Sequence, residues 1–141
     1  MSYKGFVIPG EAIGKGRPKF SMANGHAVAY TPAKTASYEN LVKLTYNQFH
    51  GGSEPYAKDI ALRVTITAGY QIPKSASKKK RQDMLDRKIR PTKKPDTDNV
   101  AKIICDALNG IAYYDDAQVV EITVKKYYSD KPETLVEIEE V

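Results

Sequence analysis

Apolar residues recur along this chain at two periods, and the changes of period mark its elements. Tyr3-Lys4-Gly5-Phe6-Val7-Ile8-Pro9 reads as a short strand closed by Pro9 and Gly10. His26-Ala27-Val28-Ala29-Tyr30 reads as another. Thr31-Pro32 has the form of an N-cap followed by a proline at the first helical position. Residues 32–49 then carry Tyr38, Leu41, Val42, Thr45, Tyr46 and Phe49 at helical spacing, up to a stop at Gly51-Gly52. Over 58–71, Ile60, Leu62, Val64, Ile66 and Ala68 alternate with polar or small residues, which predicts a strand with one core face. Ser75 is placed to cap a basic helix over 76–88 whose apolar side is only Met84 and Leu85; so thin a stripe packs poorly and predicts mobility. The strongest helical signal covers 97–110, where Val100, Ile103, Ile104, Ala107, Leu108 and Ile111 form one continuous stripe ended by Asn109-Gly110. Alternation resumes in a strand over 118–128, with Val120, Ile122 and Val124, and a strand over 134–140 carries Leu135, Val136 and Ile138.

Strands interleaved with helices predict an α/β (α+β) fold, a mixed β-sheet with helices packed on it. No repeat and no long linker interrupts the chain, so residues 1–141 are expected to form a single compact domain. Cys105 is the one cysteine, which excludes a disulfide scaffold. No apolar run approaches the roughly 18 residues of a membrane span. The N-terminus MSYKGFVIPG lacks the apolar core of a secretory signal, so the expected location is cytoplasmic.

Charge changes the picture. Residues 74–94 carry ten basic and two acidic side chains, whereas 95–141 carry four basic and eleven acidic. A like-charge block is ordinarily a solvated face or loop. It is also the form of a phosphate-binding surface. Lysines set next to a carboxylate cluster are what a metal-dependent nuclease needs, since the acids alone would repel DNA.

The acids themselves come in two groups. Asp96-Thr97-Asp98-Asn99 opens the strong helix, and Asp115-Asp116 follows its end. Each group has a purely structural account: Asp at an N-cap, an acid against the helix dipole, a polar turn before a strand. Taken together they ask for more. At about 100° per residue, Asp98, Lys102 and Asp106 share the face opposite the core stripe, with i,i+4 spacings that suit Asp98–Lys102 and Lys102–Asp106 pairing. If the chain after the helix returns to that face, several carboxylates converge beside one lysine. Such a cluster is unstable without a cation, and Mg²⁺ takes one or two carboxylates plus waters and phosphate oxygens. An ion so held activates water and orients a phosphodiester, and Lys102 is placed to offset charge that develops in the transition state. Other constellations fail. His26 and His50 lack metal spacing and read as surface or loop residues; Cys105 reads as lying on the polar side of its helix with no positioned base; Gly14-x-Gly16 opens no nucleotide-binding loop.

Lys94-Pro95-Asp96-Thr97-Asp98-Asn99-Val100-Ala101-Lys102, then Asp106-Ala107-Leu108-Asn109-Gly110, then Tyr114-Asp115-Asp116-Ala117-Gln118-Val119 closely resemble the RusA family of Holliday junction resolvases. Gly16-Arg17-Pro18-Lys19 and Tyr30-Thr31-Pro32 resemble the N-terminal half of that family. The resemblance implies a small homodimeric α/β endonuclease that depends on Mg²⁺ (Mn²⁺ as a substitute) and cuts four-way DNA junctions by paired incisions. It implies that Asp96, Asp98 and Asp116 are the essential metal-binding carboxylates and Lys102 the essential lysine, with Asp106 and Asp115 as supporting acids. DNA contacts are expected from Lys15, Arg17, Lys19, Lys78, Lys79, Lys80, Arg81, Lys93 and Lys94. The stretch from Lys74 to Lys94 is longer and richer in lysine than in compact members, which place arginines directly before the two acids. Two other readings stand beside this one: a nuclease for flaps or forks, and a non-catalytic DNA-binding module, which would have no use for the intact acid set.

Overall fold

The computed structural model describes residues 2–141. Six strands and three helices follow in the order β1 (Tyr3–Pro9), β2 (Lys19–Ala23), β3 (His26–Tyr30), α1 (Ala33–His50), β4 (Leu62–Gln71), α2 (Lys78–Leu85), α3 (Thr97–Ala107), β5 (Val119–Ser129) and β6 (Glu133–Glu140), with a single 3₁₀ turn at Asp116–Gln118. Four strands form a mixed sheet in the order β1-β6-β4-β5. β6 pairs antiparallel with both β1 and β4, while β4 and β5 run parallel. A parallel pair needs a long crossover, and here the crossover contains α2 and α3.

The register lines up the core. Phe6, Val136, Ile66 and Val124 form one row across the four strands. Along β4 the buried positions alternate: Leu62, Val64, Ile66, Ala68 and Tyr70 face inward. They lie with α1 and α3 in a single hydrophobic cluster. α3 contributes Val100, Ile103 and Ile104, and Leu108 follows at its C-cap, each fully buried. At about 2 kcal/mol per aliphatic side chain, those four contribute roughly 8 kcal/mol as an upper estimate. Surface ion pairs on the same helix contribute about 0.5 kcal/mol each. The apolar stripe therefore sets the orientation of α3 and, with it, the direction in which its acids point.

Several expectations change. The segment 14–23 reads as loop in sequence, but Lys19–Ala23 forms a strand that pairs with β3 in a separate two-stranded hairpin. α1 begins after Pro32, which sits at the N-cap and supplies no side-chain bond, so Thr31 is not the cap. Residues 58–61 precede β4 as a turn closed by Ile60 N–H to the Ala57 carbonyl. α2 is shorter than expected and is capped by Ser77, whose Oγ accepts from Lys80 N–H at 3.2 Å, rather than by Ser75. Only Met84 of that helix is buried. The basic segment is anchored nonetheless: the Arg87 and Arg90 guanidinium carbons lie 4.1 and 3.8 Å from the Tyr127 ring centroid. On β5, Val120 and Ile122 are exposed; Ile122 lies opposite the buried Val64, on the face that α3 covers, but at the open edge of the sheet. β5 is an edge strand, and its register with β4 shifts at Leu62/Arg63, leaving Val120 unpaired in the bulge.

Candidate active site

Asp96 holds the N-cap position of α3, yet its carboxylate makes no capping hydrogen bond. Helix capping therefore does not account for it. It is exposed and lies 3.6 Å from Lys94 Nζ. Asp98, in the first turn, is exposed and borders a shallow recess shared with Ala101, Ile122 and Val124. Among the described residues it has neither an ion-pair nor a hydrogen-bond partner. The loop that carries these two acids is clamped from β5: Lys126 Nζ donates to the carbonyls of Lys93 at 2.5 Å and Pro95 at 2.8 Å. Gly14 closes the other side, because a Cβ there would come within 3.1 Å of both Asn99 Cβ and Pro95 Cβ.

Asp106 lies two turns along the helix, about 12 Å from Asp98 at 1.5 Å per residue. Here the chain does return. Asp116 stands beside both Asp106 and Asp115; burial first, then contact with the Asp115 and Asp106 carboxyls, push its pKa above the usual carboxylate range. Two lysines offset part of this charge. Lys102 Nζ is 3.7 Å from Asp106 Oδ2, and Lys15 Nζ lies between Glu39 Oε2 at 2.5 Å and Asp106 Oδ2 at 3.3 Å. Burial alone would lower the Lys15 pKa, but Glu39 and Asp106 outweigh it and raise it. Of the two expected helix pairings, Lys102–Asp106 forms and Asp98–Lys102 does not.

Amide side chains brace the acidic turn. Asp115 Oδ1 accepts from Ala117 N–H, and Gln118 Oε1 accepts from the backbone N–H groups of Tyr114 at 2.9 Å and Asp115 at 3.2 Å. The other end of the Gln118 amide donates to the Ala57 and Ile60 carbonyls at 2.8 and 3.2 Å. Asn109 Oδ1 accepts from Asp116 N–H at 2.8 Å. Asp115 thus has a structural task, while the Asp116 carboxylate is left facing Asp106. Sequence reasoning assigns Asn109 only a helix-ending role and Gln118 none. Their signal is present all the same, as two amide side chains that bracket the Asp115-Asp116 pair.

The same turn explains Cys105. It is buried, not on a polar face. The Tyr113 hydroxyl donates to the Cys105 carbonyl at 2.6 Å, and the turn folds over the last part of α3. Burial pushes the thiol up to about 11. His50 is likewise held rather than free, with Nε2 at 2.9 Å from the Gly5 carbonyl.

The structure thus gathers Asp106, Asp115 and Asp116 with Lys102 and Lys15, and places Asp96 and Asp98 at the opposite end of α3. Among the described residues no three His, Cys, Asp or Glu side chains stand close enough to hold one ion together. The donors are carboxylate oxygens whose charge is incompletely offset, the kind of set a hard divalent cation takes, and such a cation needs only one or two of them. Of the expected DNA contacts, Arg17, Lys19, Lys78, Lys79, Lys80, Arg81, Lys93 and Lys94 are exposed. Lys15 is turned into the acids instead. Among the described residues no helix is long and apolar enough to cross a membrane.

A small α+β domain with acids at both ends of one buried helix and exposed cations beside them has the parts of a phosphodiester-cleaving enzyme. Residues 9–139 match the family described as Endodeoxyribonuclease RusA, and the chain belongs to that family. It is 37% identical over 136 residues to the uncharacterized protein YqaN of Bacillus subtilis (strain 168), an alignment that covers 96% of this chain and 95% of YqaN.

Proposed function

We propose that this protein is a Mg²⁺-dependent endodeoxyribonuclease that resolves four-way DNA junctions by paired cuts during recombination and repair, and that it acts as a homodimer in the cytoplasm. The observation that carries the reading is the crowding of Asp116 by Asp106 and Asp115, beside the helix that also presents the exposed carboxylates of Asp96 and Asp98. No structural need explains both. Asp96 and Asp98 at one end of α3, and Asp116 at the other, would each offer carboxylate oxygens to such a cation, which needs only one or two of them and which Mn²⁺ can replace; when bound it would lower the pKa of a water and offset phosphate charge. Asp106 and Asp115 set the charge and position of Asp116. Hydrolysis forms one bond from water oxygen to phosphorus and breaks one phosphorus–ester bond, and the leaving deoxyribose oxygen takes up a proton. Lys102 is exposed and paired only at 3.7 Å, so it is free to turn to the phosphate and offset the charge that develops there. Two-fold symmetry in a dimer would present two such sites to a pseudo-symmetric junction.

The test incubates the protein with labelled four-way, flap and linear duplex DNA, with and without Mg²⁺. The expected result is symmetric cutting of the junction that requires metal, with Asp98→Asn still binding junctions but leaving them uncut. Equal cutting of linear duplex and junction, or cutting that survives metal removal, would refute the assignment.

A further inference from the structure

The hairpin of β2 and β3 stands apart from the core. Every described side chain from Arg17 to Thr31 is exposed. A two-stranded hairpin on its own is at best marginally stable in water. Yet this one carries Phe20 at 72% and Met22 at 73% exposure. Successive side chains in a strand alternate, so Phe20 and Met22 share a face. Their cross-strand partners are Ala29 and Ala27. Small residues opposite leave both large side chains projecting with nothing beside them. The rest of the polypeptide offers no reason for two such apolar side chains in water.

Charge and attachment indicate what they meet. From Ala12 to Tyr38 there is no acidic residue, whereas Lys15, Arg17, Lys19 and Lys34 lie in that stretch. The hairpin grows out of the candidate active site: Lys15 N–H donates to the Asn99 carbonyl at 3.0 Å, Gly16 N–H to Thr35 Oγ1 at 3.0 Å, and Lys15 Nζ reaches Asp106. It is therefore a projection of about 17 Å, at roughly 3.3 Å per residue, fixed at its base to the helix that holds the acids, and beyond that base its charged side chains, Arg17 and Lys19, are exposed cations.

We propose that Phe20 and Met22 form an apolar wedge that enters the branch point of the DNA and unstacks the base pairs there, while Arg17 and Lys19 hold the adjoining phosphates. Apolar side chains inserted at a base step are a known means of opening a duplex, and they act where flanking contacts offset the cost of unstacking. A branch point is the place of least cost, because stacking is already interrupted. This rests on the branched-DNA reading above and adds to it the element that selects the branch.

The test places 2-aminopurine at the branch point of an immobile four-way junction, with Ca²⁺ in place of Mg²⁺ to hold back cleavage, and follows its fluorescence on binding. Wild type should raise the signal severalfold. Phe20→Ser/Met22→Ser should bind the junction through unchanged cations, leave the signal near that of free DNA, and cut more slowly with Mg²⁺ by about tenfold or more. Both residues lie outside the core, so the variant should melt as wild type does. A variant that opens and cuts junctions as wild type does would remove the wedge and leave the nuclease reading intact. A variant that sediments as a smaller species than wild type would show the hairpin's occupant to be a second copy of the chain, which also overturns the wedge. A wild type that neither binds nor cuts junctions would remove the nuclease reading and the wedge together.

Discussion

Gln118→Glu is the sharpest probe of how the acids are held. The change is nearly isosteric, so it opens no cavity. The Gln118 side chain makes four hydrogen bonds, two as acceptor to Tyr114 and Asp115 N–H and two as donor to the Ala57 and Ile60 carbonyls. A carboxylate keeps the first two and forfeits the second two. It also sets a negative oxygen against two carbonyl oxygens at a position that is only 9% exposed. The two forfeited bonds contribute about 1 kcal/mol each, and the repelled, poorly solvated charge adds roughly another 1–2, for a total of about 3 kcal/mol at neutral pH. For a domain of this size that corresponds to a fall in Tm of roughly 10 °C. The new carboxyl has a folded-state pKa raised above its unfolded value of about 4.3. The part of the destabilisation that comes from the charge is therefore present in full above the folded pKa and is lost as pH falls toward about 4.3, while the second donor bond, which a protonated carboxyl cannot replace, stays lost at every pH. Thermal unfolding of both proteins between about pH 4.5 and 8, a range set by that pKa, checks this. Cleavage measured well below both midpoints should still fall, because Tyr114 and Asp115 would lose their tie to the 57–60 turn. A Tm within about 1 °C of wild type at pH 8, about 0.3 kcal/mol, would mean that water replaces the amide and that Gln118 does not hold the acidic turn.

Three other perturbations separate the parts of the site. Asp116→Asn removes one of three crowded carboxylates, so without divalent metal its Tm should equal or exceed wild type, while metal-induced stabilisation and cutting disappear; a metal-free Tm well below wild type would contradict the crowding. Cys105, with its thiol pushed up to about 11 from 9.0, should react with iodoacetamide at pH 8 at least about a hundredfold more slowly in the native protein than in urea, as followed by mass spectrometry; equal rates would show the thiol to be open. Replacing Lys78, Lys79, Lys80 and Arg81 together should lower the slope of log K against log salt by about 0.9 for each phosphate no longer neutralised, with little change in cutting at saturating DNA. An unchanged slope would move the DNA surface to Arg17, Lys19, Lys93 and Lys94.

Periodicity by itself determined the elements that bury most: the 58–71 alternation, the 97–110 stripe and the two C-terminal strands all correspond to observed elements, because burial of a repeated apolar face dominates their energetics. Family membership was legible in the same way, from the spacing of acids around α3. What failed was everything decided by a partner distant in sequence. The exposure of Val120 and Ile122 follows from the place of β5 at a sheet edge, and alternation carries no record of strand order. The burial of Cys105 follows from a turn that folds back over α3 from residues 113–118, which a helical wheel does not include. Lys15 counts as one more cation in a basic loop until the fold places it between Glu39 and Asp106. Gln118 and Asn109 acquire their tasks from groups 61 and 7 residues away. Local sequence sets which residues are apolar and which can carry charge; only tertiary packing sets which of them meet, since a hydrogen bond or an ion pair depends on distances that neighbours along the chain do not determine.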